Sequence, residues 1–408
     1  MSAGAPRPVW HVEQAADNRD VGSVDLTWNN GDVGQFPYVW LRDSCLCPGC
    51  YHPSALSRKL RIDQLDVGIV PRSVRNDPDA QEVVITWPDG HVSRFPHDWL
   101  GQRQFTPQQL KERKKEQAGP RTVLWDRAAM EHSLFKVDYK ELLGDLSVLR
   151  ETLHRLISHG LLVVRNTPIR FGVVEEIASR LGHTRMTHYG KTFRVMSKLD
   201  ANNLAYTSET LSLHLDQPYY EYIPGVQMLH CISQHVGSGG ENTLADSFYV
   251  AELIRQQRPD LFKLMSAMPV EFDDVGVEKE EDQDCRFHKV QEHTVFRTDG
   301  EGNVNQVCFN NPTRSYRLNV PFDLVKPMYE GLKMLHDLCM EKENHMLYKM
   351  ADGDVLVFNN RRVMHGRRGY TVTSDSTRTL EGGYIDWDEI LCRYRTVSDL
   401  LRRPSMRR

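Results

Sequence analysis

The segment GDVLVFNNRRVMHGR, residues 353–367, predicts an apolar strand, a turn and a second strand that carries His365. A second segment, SLHLDQP at residues 212–218, holds His214 and Asp216 two positions apart. Alternate residues of a strand point to the same face, so this imidazole and this carboxylate can approach one ion together. Two histidines and one carboxylate leave three positions of an octahedral ion open, which is typical of non-haem Fe(II) oxygenases. We therefore predict an iron site made of these three side chains.

The His-x-Asp pair alone is a weak signal, because the chain has 17 histidines and such a pair can arise by chance. Each histidine could equally be a surface residue or a hydrogen-bonded core residue. Arg378, in STRTLEGGY at residues 376–384, strengthens the oxygenase interpretation. A buried arginine can hold a carboxylate through two parallel hydrogen bonds, and the distal carboxylate of 2-oxoglutarate suits such a partner.

The composition is that of an ordinary globular protein, with 408 residues, 26% charged, 40% hydrophobic and a net charge of −4. At about 100–200 residues per domain, this length indicates two or three domains. Without a basic excess we expect no nucleic-acid partner, and no apolar run approaches the roughly 18 residues of a membrane span. Early acidic residues, among them Glu13 and Asp17, argue against a mitochondrial presequence. A cytosolic location is therefore expected.

Two hairpin patterns occur in the N-terminal part, in residues 23–43 and 82–100. Each has a strand, a turn containing Asn-Gly or Asp-Gly, and a second strand, and these turn pairs tolerate positive φ. The charged segment RKKEQAGPR, residues 113–121, is more often a solvated linker than a nucleic-acid patch. We predict a β-rich N-terminal domain over residues 1–112, a linker over 113–122 and a larger domain over 123–408.

Apolar residues at helical spacing recur in the larger domain. They predict helices over residues 146–160, 171–182, 249–265 and 324–343. LLVV, residues 161–164, predicts a buried strand, and the acidic residues 278–284 predict a solvated loop. Helices outside and strands at the centre indicate a β-barrel-like core supported by helices.

Three cysteines, Cys45, Cys47 and Cys50, form a tight cluster around a Pro-Gly turn. Disulfides are rare in the cytosol, so this spacing favours metal binding, and tetrahedral zinc would need one further ligand. The alternative is three free thiols on a loop, which would oxidise easily.

Several motifs together resemble the γ-butyrobetaine dioxygenase family. They are VWLRDSCLCPGCY, TWPDGH, LDANNLAYT, SLHLDQP, GVQMLHC, VLVFNNRRVMHGRRGY and LEGGYIDWDE, in the order of the family, between about Trp40 and Tyr394. The resemblance implies a mainly β fold with flanking helices. It consists of a double-stranded β-helix (jelly-roll) catalytic domain after a small zinc-binding β-rich N-terminal domain.

The resemblance also implies a reaction, in which 2-oxoglutarate and O2 become succinate and CO2 while γ-butyrobetaine is hydroxylated to L-carnitine, the last step of carnitine biosynthesis. L-Ascorbate would support turnover, and a homodimer is expected. Carried over by position, His214, Asp216 and His365 match the iron ligands, and Arg378 matches the arginine that binds 2-oxoglutarate. His91 matches the fourth ligand of a structural Zn(II), which has no open position for chemistry.

The substrate of this family carries a trimethylammonium group, which has no N–H to donate and must be recognised by aromatic faces. The positions that match the aromatic cage are Tyr189, Phe193, Tyr206 and Tyr384. Asn203 and Asn310 match positions facing the substrate carboxylate. From the residues alone, these side chains could equally be core aromatics and turn residues.

This chain departs from the family at three positions. Phe193 stands where Trp is usual, Leu215 where Thr is usual, and Gln217 where Tyr is common in animal members. The nearest alternative is trimethyllysine dioxygenase, whose substrate has an α-ammonium group and which tends to have Asp at the position of Asn203. A non-catalytic protein that binds partners through its zinc domain would not need the iron ligands. A hydrolytic metalloenzyme would leave Arg378 unexplained.

Overall fold

A computed structural model of the chain describes residues 9–196, 209–279, 284–370 and 378–402. The chain divides into two compact units, Met1–Ala118 and Gly119–Arg408. Within the described residues, no helix combines the length and the apolar character that crossing a membrane requires.

The N-terminal unit is built from short antiparallel strands. Its strands are β1 (Val12–Asn18), β2 (Ser23–Trp28), β3 (Val33–Pro37), β4 (Tyr51–His52), β5 (Ser57–Arg58), β6 (Ser73–Asp77), β7 (Glu82–Thr86) and β8 (Val92–Pro96). Its helices are α1 (Tyr38–Asp43), α2 (His97–Gly101) and α3 (Pro107–Ala118). Strands β1-β2-β3 form one sheet and β6-β7-β8 another. The last residues of α3 are the first residues of the segment predicted as a linker.

Both predicted hairpins are confirmed. β2 pairs with β3, and β7 pairs with β8. Gly31 and Gly90 adopt φ of 83° and 82° in the two turns, a conformation that glycine reaches without steric cost. Large aromatic side chains, among them Trp28 and Trp87, are fully buried between the sheets and helices of this unit.

The second unit contains the remaining elements. Its strands are β9 (Phe135–Asp138), β10 (Leu161–Arg165), β11 (Thr192–Met196), β12 (Leu211–His214), β13 (Val226–Ser233), β14 (Asn242–Asp246), β15 (Pro269–Lys279), β16 (Asp284–Thr294), β17 (Phe296–Thr298), β18 (Val304–Val307), β19 (His345–Tyr348), β20 (Val355–Asn359), β21 (Val363–Arg367) and β22 (Thr379–Ile385). Its helices are α4 (Arg127–Ser133), α5 (Tyr139–Gly144), α6 (Leu146–His159), α7 (Val173–Leu181), α8 (Ser247–Gln257), α9 (Pro259–Ala267), α10 (Phe322–Met340) and α11 (Trp387–Arg402).

Two sheets form the centre of this unit. Six strands lie in the order β11-β22-β13-β20-β10-β9, and four lie in the order β12-β21-β14-β19. Side chains from both sheets meet in one apolar core, for example Leu229 and Phe358 from the larger sheet and Leu244 and Val363 from the smaller. A second core lies between the larger sheet and helices α6, α7 and α11. Two facing sheets with helices outside agree with the predicted jelly-roll class.

Local sequence signals set several boundaries. The side chain of Asp145 accepts the N–H groups of Ser147 and Val148 at the start of α6, and Gly160 ends that helix with φ of 79°. The helix predicted over residues 146–160 and the buried strand after it are therefore confirmed.

Two secondary-structure predictions were wrong. The helix predicted over residues 249–265 is two helices, α8 and α9, because Pro259 lacks an N–H and its ring blocks a continuous helix. The acidic residues 278–284 are not simply a loop, since Glu278 and Asp284 lie in the paired strands β15 and β16. At Glu278 and Asp284, pairing between the two strands outweighs the low strand propensity of acidic residues. Residues 280–283 lie outside the described residues.

Candidate active site

The pairing of β12 with β21 places His214 directly opposite His365, with the two ring centroids 4.2 Å apart. Strand β12 ends at His214, so Asp216 lies in the bend that follows the strand. The prediction that His214 and Asp216 share one strand face was therefore wrong. Both side chains nevertheless reach the same place, because the bend returns the carboxylate towards the two imidazoles.

Two asparagines from other segments hold this bend. The side chain of Asn360 accepts the N–H of Asp216 at 2.8 Å and donates to its carbonyl oxygen at 2.9 Å and to that of Pro224 at 3.1 Å. Asn310 donates to the carbonyl oxygen of Leu215 at 3.1 Å. The backbone N–H of Leu215 also donates to the carbonyl oxygen of Phe309 at 2.8 Å. The backbone around Asp216 is thus held by these contacts and not by a strand ladder.

The three candidate ligand atoms converge. Nε2 of His214 is 3.2 Å and Nε2 of His365 is 3.9 Å from Oδ1 of Asp216, and all three atoms lie within 4.8 Å of one another. Nδ1 of His214 donates to the carbonyl oxygen of Ser212 at 2.8 Å, which orients Nε2 towards Asp216. The hydroxyl of Tyr384 donates to the other carboxylate oxygen of Asp216 at 2.6 Å. Each of the three ligand side chains is oriented by a further hydrogen bond or by packing. Their two imidazole nitrogens and one carboxylate oxygen fit a divalent ion such as Fe(II).

The electrostatics favour the ligand forms of Asp216 and His365. For His214, burial lowers the pKa, but the hydrogen bond with Asp216 raises it overall, so a bound metal ion would displace a proton from this ring. Burial alone would raise the pKa of Asp216, but its hydrogen bond with His214 lowers it overall. Burial and the neighbouring His214 lower the pKa of His365 to about 3. Asp216 is therefore ionised and His365 is neutral near pH 7, as metal ligands must be.

Arg378 precedes β22 and is only 3% exposed. Burial, followed by the nearby charge of Arg367, lowers its pKa to about 10, so it remains a cation near pH 7. Its Nε has no hydrogen-bond partner within the described residues. Burying a guanidinium with an unpaired N–H costs free energy unless an anion accepts the hydrogen bond. This group therefore suits a carboxylate ligand.

Three of the four predicted cage aromatics lie together. The ring of Phe193 is stacked at 5.3 Å from that of Tyr384 and lies 5.9 Å from that of Tyr189. Gly382 makes this packing possible, because a Cβ there would lie 2.2 Å from the Phe193 ring. Tyr384 joins the aromatic group to Asp216 through its hydroxyl. Tyr206 and Asn203 lie outside the described residues.

The sequence analysis missed Asn360 as a functional residue and named Gln217 only as a departure from the family. Asn360 lies in the motif VLVFNNRRVMHGRRGY, and only the ability of its amide to donate and accept hydrogen bonds indicated a role. Gln217 is 3% exposed, adopts φ of 59°, and neither atom of its amide has a hydrogen-bond partner in the described part of the chain. This buried amide next to Asp216 is free to bind a polar ligand group.

The cysteine cluster and His91 also converge in the N-terminal unit. Nε2 of His91 lies 3.2 Å from the sulfur of Cys45, 3.8 Å from that of Cys47 and 3.6 Å from that of Cys50. Ligands at zinc bond lengths in a tetrahedron are about 3.6 Å apart. Arg42 donates to the sulfur of Cys50 at 3.4 Å, which stabilises a thiolate. Four such donors fit a closed, structural zinc site.

Comparisons with known proteins agree with this chemistry. The model of the taurine catabolism dioxygenase TauD, TfdA family matches residues 122–384, and that of the gamma-butyrobetaine hydroxylase-like N-terminal domain matches residues 16–101. Gamma-butyrobetaine dioxygenase of Homo sapiens is 37% identical over 92% of this chain and 94% of its own length, and that of Pongo abelii is 36% identical with the same coverage. Mitochondrial trimethyllysine dioxygenase of Rattus norvegicus is 30% identical over 90% of this chain and 86% of its own length.

The fold, the site and the matched model define a dioxygenase that depends on Fe(II) and 2-oxoglutarate. The chain belongs to the TauD, TfdA family of dioxygenases, and along almost its whole length it is similar to gamma-butyrobetaine dioxygenases.

Asn360→Ala removes three hydrogen bonds around Asp216 without removing a candidate ligand atom. We expect the affinity for Mn(II), a stand-in that does not oxidise readily, to fall about 10–100-fold, as for other partners of metal ligands. Electron paramagnetic resonance during Mn(II) titration measures the change. Asn319→Ala, at an exposed amide, is the matched control. Equal affinity in the two variants would contradict the role given to Asn360.

Proposed function

We propose that this enzyme hydroxylates γ-butyrobetaine to L-carnitine, with 2-oxoglutarate and O2 as co-substrates and succinate and CO2 as products. The observation that carries the proposal is the hydrogen bond from the hydroxyl of Tyr384 to the carboxylate of Asp216. Through this bond the rings of Tyr384 and Phe193 lie directly beside the candidate metal ligands. The 37% identity to a gamma-butyrobetaine dioxygenase, over nearly the full length of both chains, supports the same substrate.

In this proposal His214, Asp216 and His365 hold Fe(II). When bound, the metal supplies the activation of O2 and the oxidation of a C–H bond, which no protein side chain can perform. The chain orients the ligands through Tyr384 and Asn360. Arg378 pairs with the distal carboxylate of 2-oxoglutarate and so directs the other end of that molecule towards the metal.

The substrate would be held at both ends. The trimethylammonium group would lie against the faces of Tyr189, Phe193 and Tyr384, with Tyr206 as a fourth wall, and each contact contributes about 0.5–2 kcal/mol. The substrate carboxylate needs donors, and Asn203, Asn310 and Gln217 are proposed to supply them. Asn310 already donates one N–H to Leu215, so its second amide hydrogen is the one available.

Trimethyllysine hydroxylation is the second candidate, because it would use the same metal centre and the same aromatic group. Two observations favour γ-butyrobetaine. The identity to a trimethyllysine dioxygenase is lower, at 30%, and Asn203 carries no charge with which to bind an α-ammonium group.

A substrate panel tests the proposed function. With Fe(II), 2-oxoglutarate and ascorbate, we expect γ-butyrobetaine to gain one oxygen in step with succinate formation, as measured by mass spectrometry. His214→Ala should abolish both products, whereas His183→Ala, at a largely exposed histidine, should retain them. Hydroxylation of trimethyllysine alone would overturn the choice of substrate. Succinate formed without hydroxylated product would mean that neither compound is the substrate.

Arg378→Lys keeps the charge but loses the planar pair of donors. We expect KM for 2-oxoglutarate to rise roughly 10–100-fold, as for the loss of a charge-assisted hydrogen bond. Succinate formation at increasing 2-oxoglutarate concentration gives the value. Arg368→Lys, at the exposed neighbour of Arg367, should behave as the wild type. An unchanged KM in Arg378→Lys would contradict the proposal that this residue binds 2-oxoglutarate.

We further propose that Cys45, Cys47, Cys50 and His91 bind structural Zn(II). Purified protein should then contain about one zinc per chain. Cys47→Ser should lose the metal and unfold at a lower temperature, because zinc binding is coupled to the folding of such sites. Elemental analysis and calorimetry measure both effects, with Cys392→Ser at an exposed thiol as the control. Equal zinc content in the two variants would contradict the site.

The enzyme acts on a small molecule and O2. The homodimer, the stimulation by ascorbate and the cytosolic location stay predictions.

A further inference from the structure

A histidine connects the aromatic group to the long hairpin of β15 and β16. The ring of His188 lies 3.9 Å from that of Tyr189 and 4.2 Å from that of Phe287 in β16. Nε2 of His188 is 3.7 Å from a carboxylate oxygen of Asp274 in β15. One imidazole, that of His188, therefore connects Asp274 to Tyr189 of the proposed cage.

Tyr219 provides a second connection from the same carboxylate. Its side chain is 5% exposed and hydrogen-bonds to Asp274, and its ring lies 5.8 Å from that of His188. Burial, followed by the nearby groups of Tyr189 and Asp274, raises the pKa of Tyr219, so its hydroxyl stays protonated and donates to Asp274.

No Lys or Arg of the described residues forms an ion pair with Asp274. Lys289 is its cross-strand neighbour, but the ammonium group lies over the ring of Tyr220, 4.5 Å from its centroid. Burial and the charge of Lys289 lower the pKa of His188 to about 4, so His188 is neutral near pH 7. Burial raises the pKa of Asp274 itself. The charge of Lys289 offsets this effect only in part. A half-buried carboxylate that forms no ion pair with Lys or Arg within the described residues is an unfavourable arrangement that a bound cation would relieve.

We propose that Asp274 is the counter-ion of the aromatic cage and selects a positively charged end group over a neutral one of the same shape. This inference rests on the proposed function, because the cage is taken as the substrate's trimethylammonium site. Aromatic faces attract a cation but also pack well against a neutral tert-butyl group. A carboxylate near the rings adds a Coulomb attraction that only the cation experiences, and low local polarity strengthens it.

Asp274→Asn tests this role, since the amide keeps the shape and still accepts the hydrogen bond of Tyr219. Two ligands are compared on the holoenzyme with Fe(II) and 2-oxoglutarate, under argon, by calorimetry. They are γ-butyrobetaine and its isostere 5,5-dimethylhexanoate, in which carbon replaces nitrogen, so that the end group is neutral and the carboxylate is kept. We expect Kd of γ-butyrobetaine to rise about tenfold, as for the loss of a screened charge pair, while Kd of the isostere stays within about twofold.

Asp273→Asn is the matched control, because this neighbour is on the opposite face of the same strand. It should leave both dissociation constants unchanged. Equal weakening of both ligands by Asp274→Asn would mean a purely structural role, and no weakening of either would mean no role. Both results overturn the proposal.

Tetramethylammonium separates this proposal from the proposed function. If wild-type protein fails to bind γ-butyrobetaine, the proposed function is wrong, and tetramethylammonium still reports on the cage. Weaker binding of tetramethylammonium by Asp274→Asn than by Asp273→Asn would then support the counter-ion, and equal binding would overturn it.

Discussion

The antiparallel pairing of β12 with β21 is the constraint on which the site depends. It sets His214 opposite His365 and brings together two segments that are far apart in the chain. β21 also pairs with β14, so its position is held from both sides. A strand bonded on both edges has little freedom to slip, and slippage by one residue would turn His365 to the other face of the sheet.

The residues just before β21 extend this constraint. Arg362 donates two hydrogen bonds to the carboxylate of Asp246, and both side chains are at most 1% exposed. Breaking such a buried pair by removing one partner typically costs about 3–5 kcal/mol. Asn360, two residues earlier, fixes the bend that carries Asp216. Residues 360–362 therefore anchor both β21 and the bend that carries Asp216. The positions of the candidate metal ligands are thus linked to the stability of the core.

Two charged side chains that are largely removed from solvent, Arg378 and Asp274, complement the proposed ligands. Arg378 is a buried cation whose Nε has no hydrogen-bond partner in the described part of the chain, and it suits the dianion 2-oxoglutarate. Asp274 is a half-buried anion near the aromatic rings, and it suits a quaternary ammonium group. Because low polarity strengthens both interactions, each ligand would be recognised by charge as well as by shape.

The sequence by itself determined the features that depend on neighbouring residues or on a rare combination of side chains. These include the helix from Leu146 to Gly160, the two glycine turns, and the candidate iron and zinc ligands. Within each of these two ligand groups, the structure brings the ligand atoms within 4.8 Å of one another. Only the tertiary structure decided that Asp216 lies beyond its strand, held by Asn360, and that His188 connects Asp274 to Tyr189. The physical reason is that such contacts join residues distant in the chain. They depend on which strands pair and in what register, and no local pattern of residues encodes that choice.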